Sequence, residues 1–121
     1  MTLQEEYKRK LVSAEEAVKV IQSGDQIDWS SFNGQPVLLD KALAARKDEL
    51  TNVHIRGASS QRPIACVEQD PERKHFIYSS WHFSAYERRL HDRNLCNFNP
   101  VAFHERSRYY ETGHVTLEEI E

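Results

Sequence analysis

The short turn Asn33-Gly34-Gln35-Pro36 combines the residue types best suited to ligand chemistry in this sequence. A glycine lets a ligand approach the backbone, and amides at a strand-to-helix turn can face a phosphate or a developing oxyanion. Gln35 can add a side-chain donor, and Pro36 fixes the start of the next helix. The alternative is an ordinary turn in which Gly34 only supplies a positive φ. If the turn is functional, we expect Gly34→Ala to lower catalytic efficiency while the melting temperature barely moves.

Histidine and serine side chains follow a predicted strand in Trp81-His82-Phe83-Ser84. His82 is placed to act as an acid, a base or a polar anchor at the rim of the sheet, or simply to be a hydrogen-bonded loop residue. Ser84 fits a helix cap better than a nucleophile, because no Gly-x-Ser-x-Gly elbow surrounds it. We therefore predict His82 and Ser84 at a substrate-facing loop, with no catalytic residue assigned.

Two charged stretches, residues 87–89 and 105–110, are rich in arginine. The ordinary interpretation is a solvated helix face. The functional alternative is that guanidinium groups, Arg108 among them, contact the phosphates of a nucleotide-like cofactor. The sequence leaves both interpretations open.

Familiar metal and nucleotide motifs do not occur in the sequence. No Gly-Lys-Ser/Thr follows Gly34, and one glycine stands where a dinucleotide fingerprint needs three. The six histidines and two cysteines form neither a His-x-x-x-His pair nor a Cys-x-x-Cys pair. We therefore expect no metal and no permanently bound cofactor.

Strand and helix patterns alternate along the chain and must position these residues. Alternation and β-branched or aromatic residues predict strands at 26–32, 53–58, 75–81 and, more weakly, 98–103, where Pro100 suggests an edge. Helical spacing predicts helices at 3–11, 13–24, 36–50, 84–93 and 105–111. A Ser-x-x-Glu box marks the start at Ser13, while 64–68 is ambiguous and 115–121 is unplaced.

This alternation predicts an α/β fold with an open, mostly parallel sheet and flanking helices. Ligands of such sheets meet the loops at the carboxyl ends of the strands. Here those loops are 33–36, 59–63 with Ser59, 82–84 and 103–108.

The composition of the chain also restricts the classes of partner and the location that we expect. The chain has 121 residues, a formal charge of -3 and 39% hydrophobic residues, which is typical of one globular domain with no basic face for nucleic acid. No apolar run approaches the roughly 20 residues needed to cross a membrane, and the N-terminus is polar. We expect a cytoplasmic protein in which Cys66 and Cys96 are free, buried thiols.

Several segments, in colinear order from residue 5 to residue 110, together resemble the acetyl-CoA hydrolase/transferase family. Its 4-hydroxybutyrate and butyryl-CoA:acetate CoA-transferases are especially similar. The segments are Glu6-Tyr7-Lys8-Arg9-Lys10-Leu11-Val12-Ser13-Ala14-Glu15-Glu16-Ala17, Gly34-Gln35-Pro36, Leu39-Asp40-Lys41-Ala42-Leu43-Ala44-Ala45-Arg46, Trp81-His82-Phe83-Ser84-Ala85-Tyr86 with Arg88, Leu90 and His91, and Arg108-Tyr109-Tyr110.

The resemblance implies a fold of the NagB/RpiA type, here an incomplete domain, and covalent catalysis by a glutamate. In that chemistry the carboxylate attacks an acyl-CoA thioester, takes up CoA as its own thioester and passes it to an acceptor acid. Family members are much longer, and their glutamate lies in the C-terminal half, so no catalytic residue is carried over. Coenzyme A or acyl-CoA is implied as a substrate, together with small carboxylates.

Two points depart from the family pattern. Members tend to have more glycine before Gly-Gln-Pro, where this chain has Ser30-Ser31-Phe32-Asn33, and residues 114–121 match no recognised segment. We interpret residues 1–121 as the N-terminal part of a CoA-transferase-like domain. The isolated chain is expected to be inactive and to associate with the C-terminal catalytic half or with itself. The alternatives are a non-catalytic binding or interaction module and, third, a thioesterase-like hydrolase.

Overall fold

A four-stranded parallel sheet forms the centre of the computed structural model, which describes residues 1–113. Its strands lie side by side in chain order, namely β1 (Gln26–Asp28), β2 (Val53–Gly57), β3 (Phe76–Ser80) and β4 (Asn97–Phe98). Parallel neighbours need crossover connections, and each connection here contains a helix. The predicted α/β fold with an open parallel sheet is therefore confirmed.

The helices are short and flank the strands in sequence. They are α1 (Leu3–Lys10), α2 (Ala14–Ala17), α3 (Val37–Ala45), α4 (Ala65–Glu68), α5 (Ala85–Asp92) and α6 (Arg106–Glu111). Short 3₁₀ turns at Val18–Val20, Phe32–Gly34, Lys47–Glu49 and Phe103–Glu105 extend or precede them. None of the helices in residues 1–113 is long and apolar enough to cross a membrane.

Serine caps begin two of these helices, as the sequence predicts. Ser84 Oγ accepts the Glu87 amide, and the Glu87 carboxylate accepts the Ser84 amide, which completes a capping box at α5. Ser13 Oγ accepts the Glu16 amide at α2 in the same way. The Glu16 carboxylate, however, pairs with Lys19 Nζ at 2.5 Å, so only half of the predicted box forms there.

The hydrophobic core lies on one face of the sheet. Strand alternation directs Ile27, Ile55 and Tyr78 to this face, where they are buried. The helices and loops contribute the remaining large apolar side chains of the core, among them Val18, Ile21, Leu43, Leu50, Ile64, Val67 and Leu90. The opposite face carries the alternate strand residues, and this is where polar side chains collect.

Four predicted elements are clearly longer than the observed ones. The helix predicted at 13–24 is a four-residue α-helix, Ala14–Ala17, followed by a 3₁₀ turn at Val18–Val20. The first strand ends at Asp28, and residues predicted to continue it form the 3₁₀ turn Phe32–Gly34, in which Phe32 has a φ of +58°. The fourth strand stops at Phe98, two residues before Pro100, which has no amide to continue the ladder. The third helix ends at Ala45, where the Arg46 side chain turns to donate to the Val18 and Ile21 carbonyls. The predicted tail 115–121 lies outside the described residues.

Candidate functional site

The loops after β1, β2 and β3 meet at the carboxyl edge of the sheet. Main-chain hydrogen bonds join them: the Phe32 amide donates to the Ala58 carbonyl at 3.1 Å, and the Ser59 amide donates to the His82 carbonyl at 2.7 Å. The segment 103–108 joins them through Arg106, the first residue of α6, which pairs with Asp28 at the end of β1. The expectation that these four loops share one edge is therefore confirmed.

Gln35 supports this edge from inside the protein. Its side chain is only 6% exposed, and its Nε2 donates to Asp40 Oδ2 at 3.3 Å and to the Pro63 carbonyl at 3.2 Å. Its Oε1 accepts a hydrogen bond from Ser60 Oγ at 2.7 Å. Both ends of the amide are thus engaged by the protein, so Gln35 holds the β1 and β2 loops together.

Gly34 is exposed and is packed closely against Ser30. Its φ is not positive, so the interpretation that glycine serves a left-handed conformation here is wrong. A Cβ at this position would lie 2.3 Å from Ser30 Oγ and 2.7 Å from Ser30 Cβ. Alanine would therefore disturb the fold, which contradicts the expectation of an unchanged melting temperature. Asn33 is exposed beside Gly34, and Pro36 is half-buried as the N-cap of α3.

Ser59 and His82 form a side-chain pair at the same edge. Ser59 Oγ lies 2.8 Å from His82 Nδ1 and donates to the His82 carbonyl at 3.1 Å. A hydroxyl has one hydrogen, so Ser59 Oγ donates either to the carbonyl, with Nδ1–H donating to Oγ, or to Nδ1 itself, and the tautomer of the ring decides between the two. Ser59 is only 4% exposed and has a φ of +49°, a strained value for a residue with a side chain. It therefore orients His82, which is exposed.

The side chains of Ser84 and Arg108 are both engaged in contacts within the protein. Ser84 is the N-cap of α5, as described above. Arg108 is exposed on α6, where its guanidinium pairs with Glu105 at 2.6 Å and lies 5.3 Å from the centre of the Tyr109 ring. The ordinary interpretation of the 105–110 stretch, a solvated helix face, fits Arg108.

A cleft of about 310 Å³ opens beside these loops, on the side of α6. None of the site residues predicted from the sequence lines it. The lining combines two guanidinium groups, hydroxyl groups and aromatic rings, from Arg56, Ser79, Ser80, Trp81, Asn99, Pro100, Val101, Arg106, Tyr109 and Tyr110.

Asp28, at the end of β1, fixes α6 against the cleft. Its Oδ2 accepts hydrogen bonds from Arg106 Nη2 at 3.1 Å and from the Tyr110 hydroxyl. Burial and the neighbouring Asp28 carboxylate raise the pKa of Tyr110, so this hydroxyl keeps its proton and donates. Arg106 also lies over the Trp81 ring, 5.4 Å from its centre. These contacts use the Arg106 guanidinium to hold α6.

Arg56 is the residue of this cleft that sequence analysis missed. It occupies a polar position in the alternating pattern of β2, between Ile55 and Gly57, and its charge at the carboxyl end of a predicted strand is the signal that could have found it. Its Nη2 donates to Gln26 Oε1 at 3.3 Å. Its Nη1 is buried and has no hydrogen-bond partner, and no other buried side-chain nitrogen or oxygen in residues 1–113 shares this property.

The buried carboxylates of the described chain all stabilise backbone or side-chain groups. Asp40 accepts the amides of Ala65 and Cys66 at the start of α4. Asp70 accepts three successive amides at the start of β3. Glu87 accepts the Tyr78 hydroxyl at 2.8 Å besides the Ser84 amide. None of these three is placed as a free nucleophile.

The two cysteines are free and buried. Burial and the nearby Asp40 carboxylate raise the pKa of Cys66 far above its usual range. Burial and Glu87 raise the pKa of Cys96 to about 12. Because the thiolate is the reactive form, both side chains are inert packing groups. No cluster of three or more metal-ligating side chains occurs in residues 1–113.

Comparison with known proteins gives consistent results. The sequence model described as "Acetyl-CoA hydrolase/transferase N-terminal domain" matches residues 1–120, which includes most of the segment 114–121 left unmatched above. A butyryl-CoA:acetate CoA-transferase of Anaerostipes caccae is 38% identical over 110 residues, covering 91% of this chain and 25% of that protein. A probable butyrate:acetyl-CoA coenzyme A-transferase of Syntrophomonas wolfei is 42% identical over 103 residues, covering 85% of this chain and 23% of that protein.

Solved structures show the same architecture. The crystal structure of RipA from Yersinia pestis superposes with a TM-score of 0.76 at 26% identity, over 93% of this chain and 29% of that one. The chain therefore spans about a quarter of the length of the relatives that it matches.

Proposed function

Because the chain belongs to the acetyl-CoA hydrolase/transferase family, we propose that it is the N-terminal part of an acyl-CoA:carboxylate CoA-transferase. The match over residues 1–120 is the observation that carries this proposal. The names of the two relatives favour short-chain acids such as acetate and butyrate as substrates, and 4-hydroxybutyrate is a third candidate. In this proposal acyl-CoA is a substrate, and no cofactor is bound permanently.

The catalytic glutamate is proposed to lie outside this chain. The arrangement of Asp40, Asp70 and Glu87 supports this, because each buried carboxylate is already committed to internal hydrogen bonds. A carboxylate nucleophile needs at least one oxygen aimed at the thioester carbon. Residues 1–113 supply no buried carboxylate in that state.

In this proposal the carboxyl-edge loops contribute the floor of the substrate site. The backbone of the turn formed by Asn33, Gly34 and Pro36 lies at this edge. The buried Gln35 side chain holds the turn in place through its hydrogen bond with Ser60. Ser59 orients the His82 ring through a hydrogen bond with Nδ1. The other two residues proposed to face the substrate are Ser84, the N-cap of α5, and Arg108, on α6. The His82 ring would then act as a hydrogen-bond acceptor or a base toward a bound acid.

The partner of the chain is proposed to be the C-terminal catalytic half of the same enzyme or a second copy. A cytoplasmic location stays a prediction. The alternative function is a non-catalytic binding or interaction module built on this half-domain. The committed carboxylates and the open cleft favour that alternative if no catalytic segment acts with the chain.

Isotope exchange tests the proposal. The purified chain is incubated with butyryl-CoA and labelled acetate, alone and joined in one polypeptide to the part of the Anaerostipes caccae relative that follows its matched segment. We expect no exchange with the chain alone and labelled acetyl-CoA with the joined protein. Mass spectrometry of the joined protein should locate a CoA adduct on a glutamate outside residues 1–121.

Two outcomes would contradict this account. Turnover by the chain alone that survives repurification would place catalysis inside residues 1–121. A folded joined protein that binds butyryl-CoA without any exchange or adduct would favour the non-catalytic module. The matched control is the relative in its native form, which must exchange label under the same conditions.

A further inference from the structure

The first helix, α1, presents a row of apolar side chains that the rest of the described chain leaves uncovered. Leu3 and Tyr7 lie about one turn apart on the same face, and Leu11, the C-cap, continues the row by four more residues. These three side chains, the apolar stripe of α1, are 87%, 63% and 62% exposed. No residue of α1 is buried. Within residues 1–113 the stripe is therefore open to solvent.

Only local interactions hold α1 in its helical form. Thr2 and Glu5 form a complete capping box at its start, and Lys10 Nζ pairs with Glu6 at 3.0 Å. The helix has eight residues, whereas isolated helices shorter than about 12 residues are marginal in water and depend on packing of an apolar face. The apolar stripe is the face that α1 offers for such packing.

The small size of the stripe indicates what kind of partner covers it. A stable complex between separate molecules buries about 800 Å² and about 20 residues on each side. One face of an eight-residue helix is much smaller, so by itself it does not hold a second copy of the chain or an unrelated protein. A surface of the same polypeptide needs far less area, because the covalent connection gives it a high effective concentration.

The relatives contain enough additional polypeptide to supply that surface. The chain covers 25% and 23% of the two CoA-transferases that it matches, and the family model includes α1 in an N-terminal domain. We propose that the apolar stripe of α1 docks against an apolar surface of the C-terminal part of the same polypeptide. This inference rests on the proposed function, which makes that part the bearer of the catalytic glutamate.

The chain itself contains one competing place for the stripe. An apolar groove of about 160 Å³ lies beside α2 and α3, and Val18, Ile21, Leu39 and Leu43 contribute to its lining. Residues 11–13 connect α1 to α2 closely enough for α1 to fold back toward this groove. The stripe does not occupy the groove, since its three side chains are exposed. The experiment must therefore separate these two positions of α1.

Thiol alkylation measures whether the stripe is covered. Cys66 and Cys96 are buried, and burial raises the pKa of both thiols, so a cysteine introduced on α1 reacts before them. Leu3→Cys reports on the stripe, and Arg9→Cys, on the opposite face of α1, is the matched control. Each variant is made in the chain alone and in the joined protein of the isotope-exchange experiment. Iodoacetamide labelling of the N-terminal peptide is followed by mass spectrometry.

We expect Leu3→Cys and Arg9→Cys to react at similar rates in the chain alone. In the joined protein Leu3→Cys should react about 10-fold more slowly or less, because α1 must first open, while Arg9→Cys is unchanged. Adding Tyr7→Ser, which removes the centre of the stripe, should restore fast labelling of Leu3→Cys, whereas adding Arg9→Ser should not. If the joined protein does not fold, the native Anaerostipes caccae relative with its N-terminal segment replaced by residues 1–12 carries the same variants, and the same pattern is expected.

Equal labelling of Leu3→Cys in the chain alone and in the joined protein would overturn the proposal, as would slow labelling that Tyr7→Ser does not restore. Slow labelling already in the dilute chain alone would place the stripe in the groove beside α2 and α3. Slowing that appears only as the chain alone is concentrated would assign the stripe to a second copy. Either result would also overturn the proposal.

The labelling experiment needs no acyl-CoA, so it fails or succeeds independently of CoA transfer. Protected Leu3→Cys without isotope exchange would leave the docking of α1 standing and contradict only the transferase. Isotope exchange with freely reactive Leu3→Cys would contradict only the docking.

Discussion

Replacing Gly34 by alanine is expected to destabilise the fold through one specific contact. The new Cβ would lie 2.3 Å from Ser30 Oγ and 2.7 Å from Ser30 Cβ, whereas ordinary carbon contacts begin near 3.4 Å. The hydroxyl can rotate away, but Ser30 Cβ is attached to the backbone, so the turn itself must open by about 0.7 Å. Overpacking of this kind destabilises proteins by about 1–3 kcal/mol.

The length of the chain determines how far this loss of free energy shifts the melting temperature. A domain of about 120 residues loses about 4 °C per kcal/mol, so we expect the melting temperature of Gly34→Ala to fall by ~4–12 °C. Circular dichroism during heating and urea titration both measure the change. Ser30→Gly removes both clashing atoms, so the double variant Ser30→Gly/Gly34→Ala should be more stable than the sum of the single changes predicts, by about 1 kcal/mol or more.

If the changes in free energy of unfolding of the two single variants add up to that of the double variant, this account of Gly34 is refuted, because the contact with Ser30 then contributes no energy. Within an active joined enzyme the same pair of variants separates structure from function. If the turn also binds substrate, the double variant regains stability without regaining kcat/KM. If both recover together, the turn is structural only.

Two further predictions concern stability and association. Asp70 accepts the amides of Lys74, His75 and Phe76, and although burial acts to raise its pKa, these donors lower it below the usual value. Its contribution to stability is therefore present above pH ~4, the unfolded pKa, and is lost as pH falls through the folded pKa. Asp70→Asn should lower the free energy of unfolding at neutral pH by about 1–3 kcal/mol and flatten its acid dependence, measured by urea unfolding across pH; an unchanged acid profile would contradict the assignment. Within residues 1–113 the sheet has open edges at β1 and β4, and Phe98 on β4 is about half exposed. Light scattering should therefore detect self-association or, when the C-terminal part of the Anaerostipes caccae relative is added, a complex. A stable monomer in both cases would contradict this.

Local sequence patterns determined most of the secondary structure and the fold class. The alternation of apolar and polar residues gave the three main strands, because one buried face forces a period of two. Ser84 with Glu87 specified the start of α5, since a capping box needs only residues three apart. The loops at the carboxyl edge followed from the parallel topology.

Element ends were less predictable, because they depend on what the neighbouring chain offers. β4 pairs over only two residues beside β3, and Arg46 ends α3 by turning to carbonyls about 25 residues away in sequence. Neither partner is visible in a local window. The direction in which Gln35 points depends in the same way on Ser60, on the next loop.

Only the tertiary structure decided which polar side chains share a site. Residues Arg56 and Ser79 lie 23 positions apart, and Asp28 and Tyr110 lie 82 positions apart. Strand register fixes the first pair and the packing of α6 on the sheet fixes the second, and a slip of one residue would direct Arg56 into the core. Sequence alone therefore showed a charged residue in a strand. Register and packing placed that residue at the wall of a cleft and left its Nη1 atom buried without a hydrogen-bond partner.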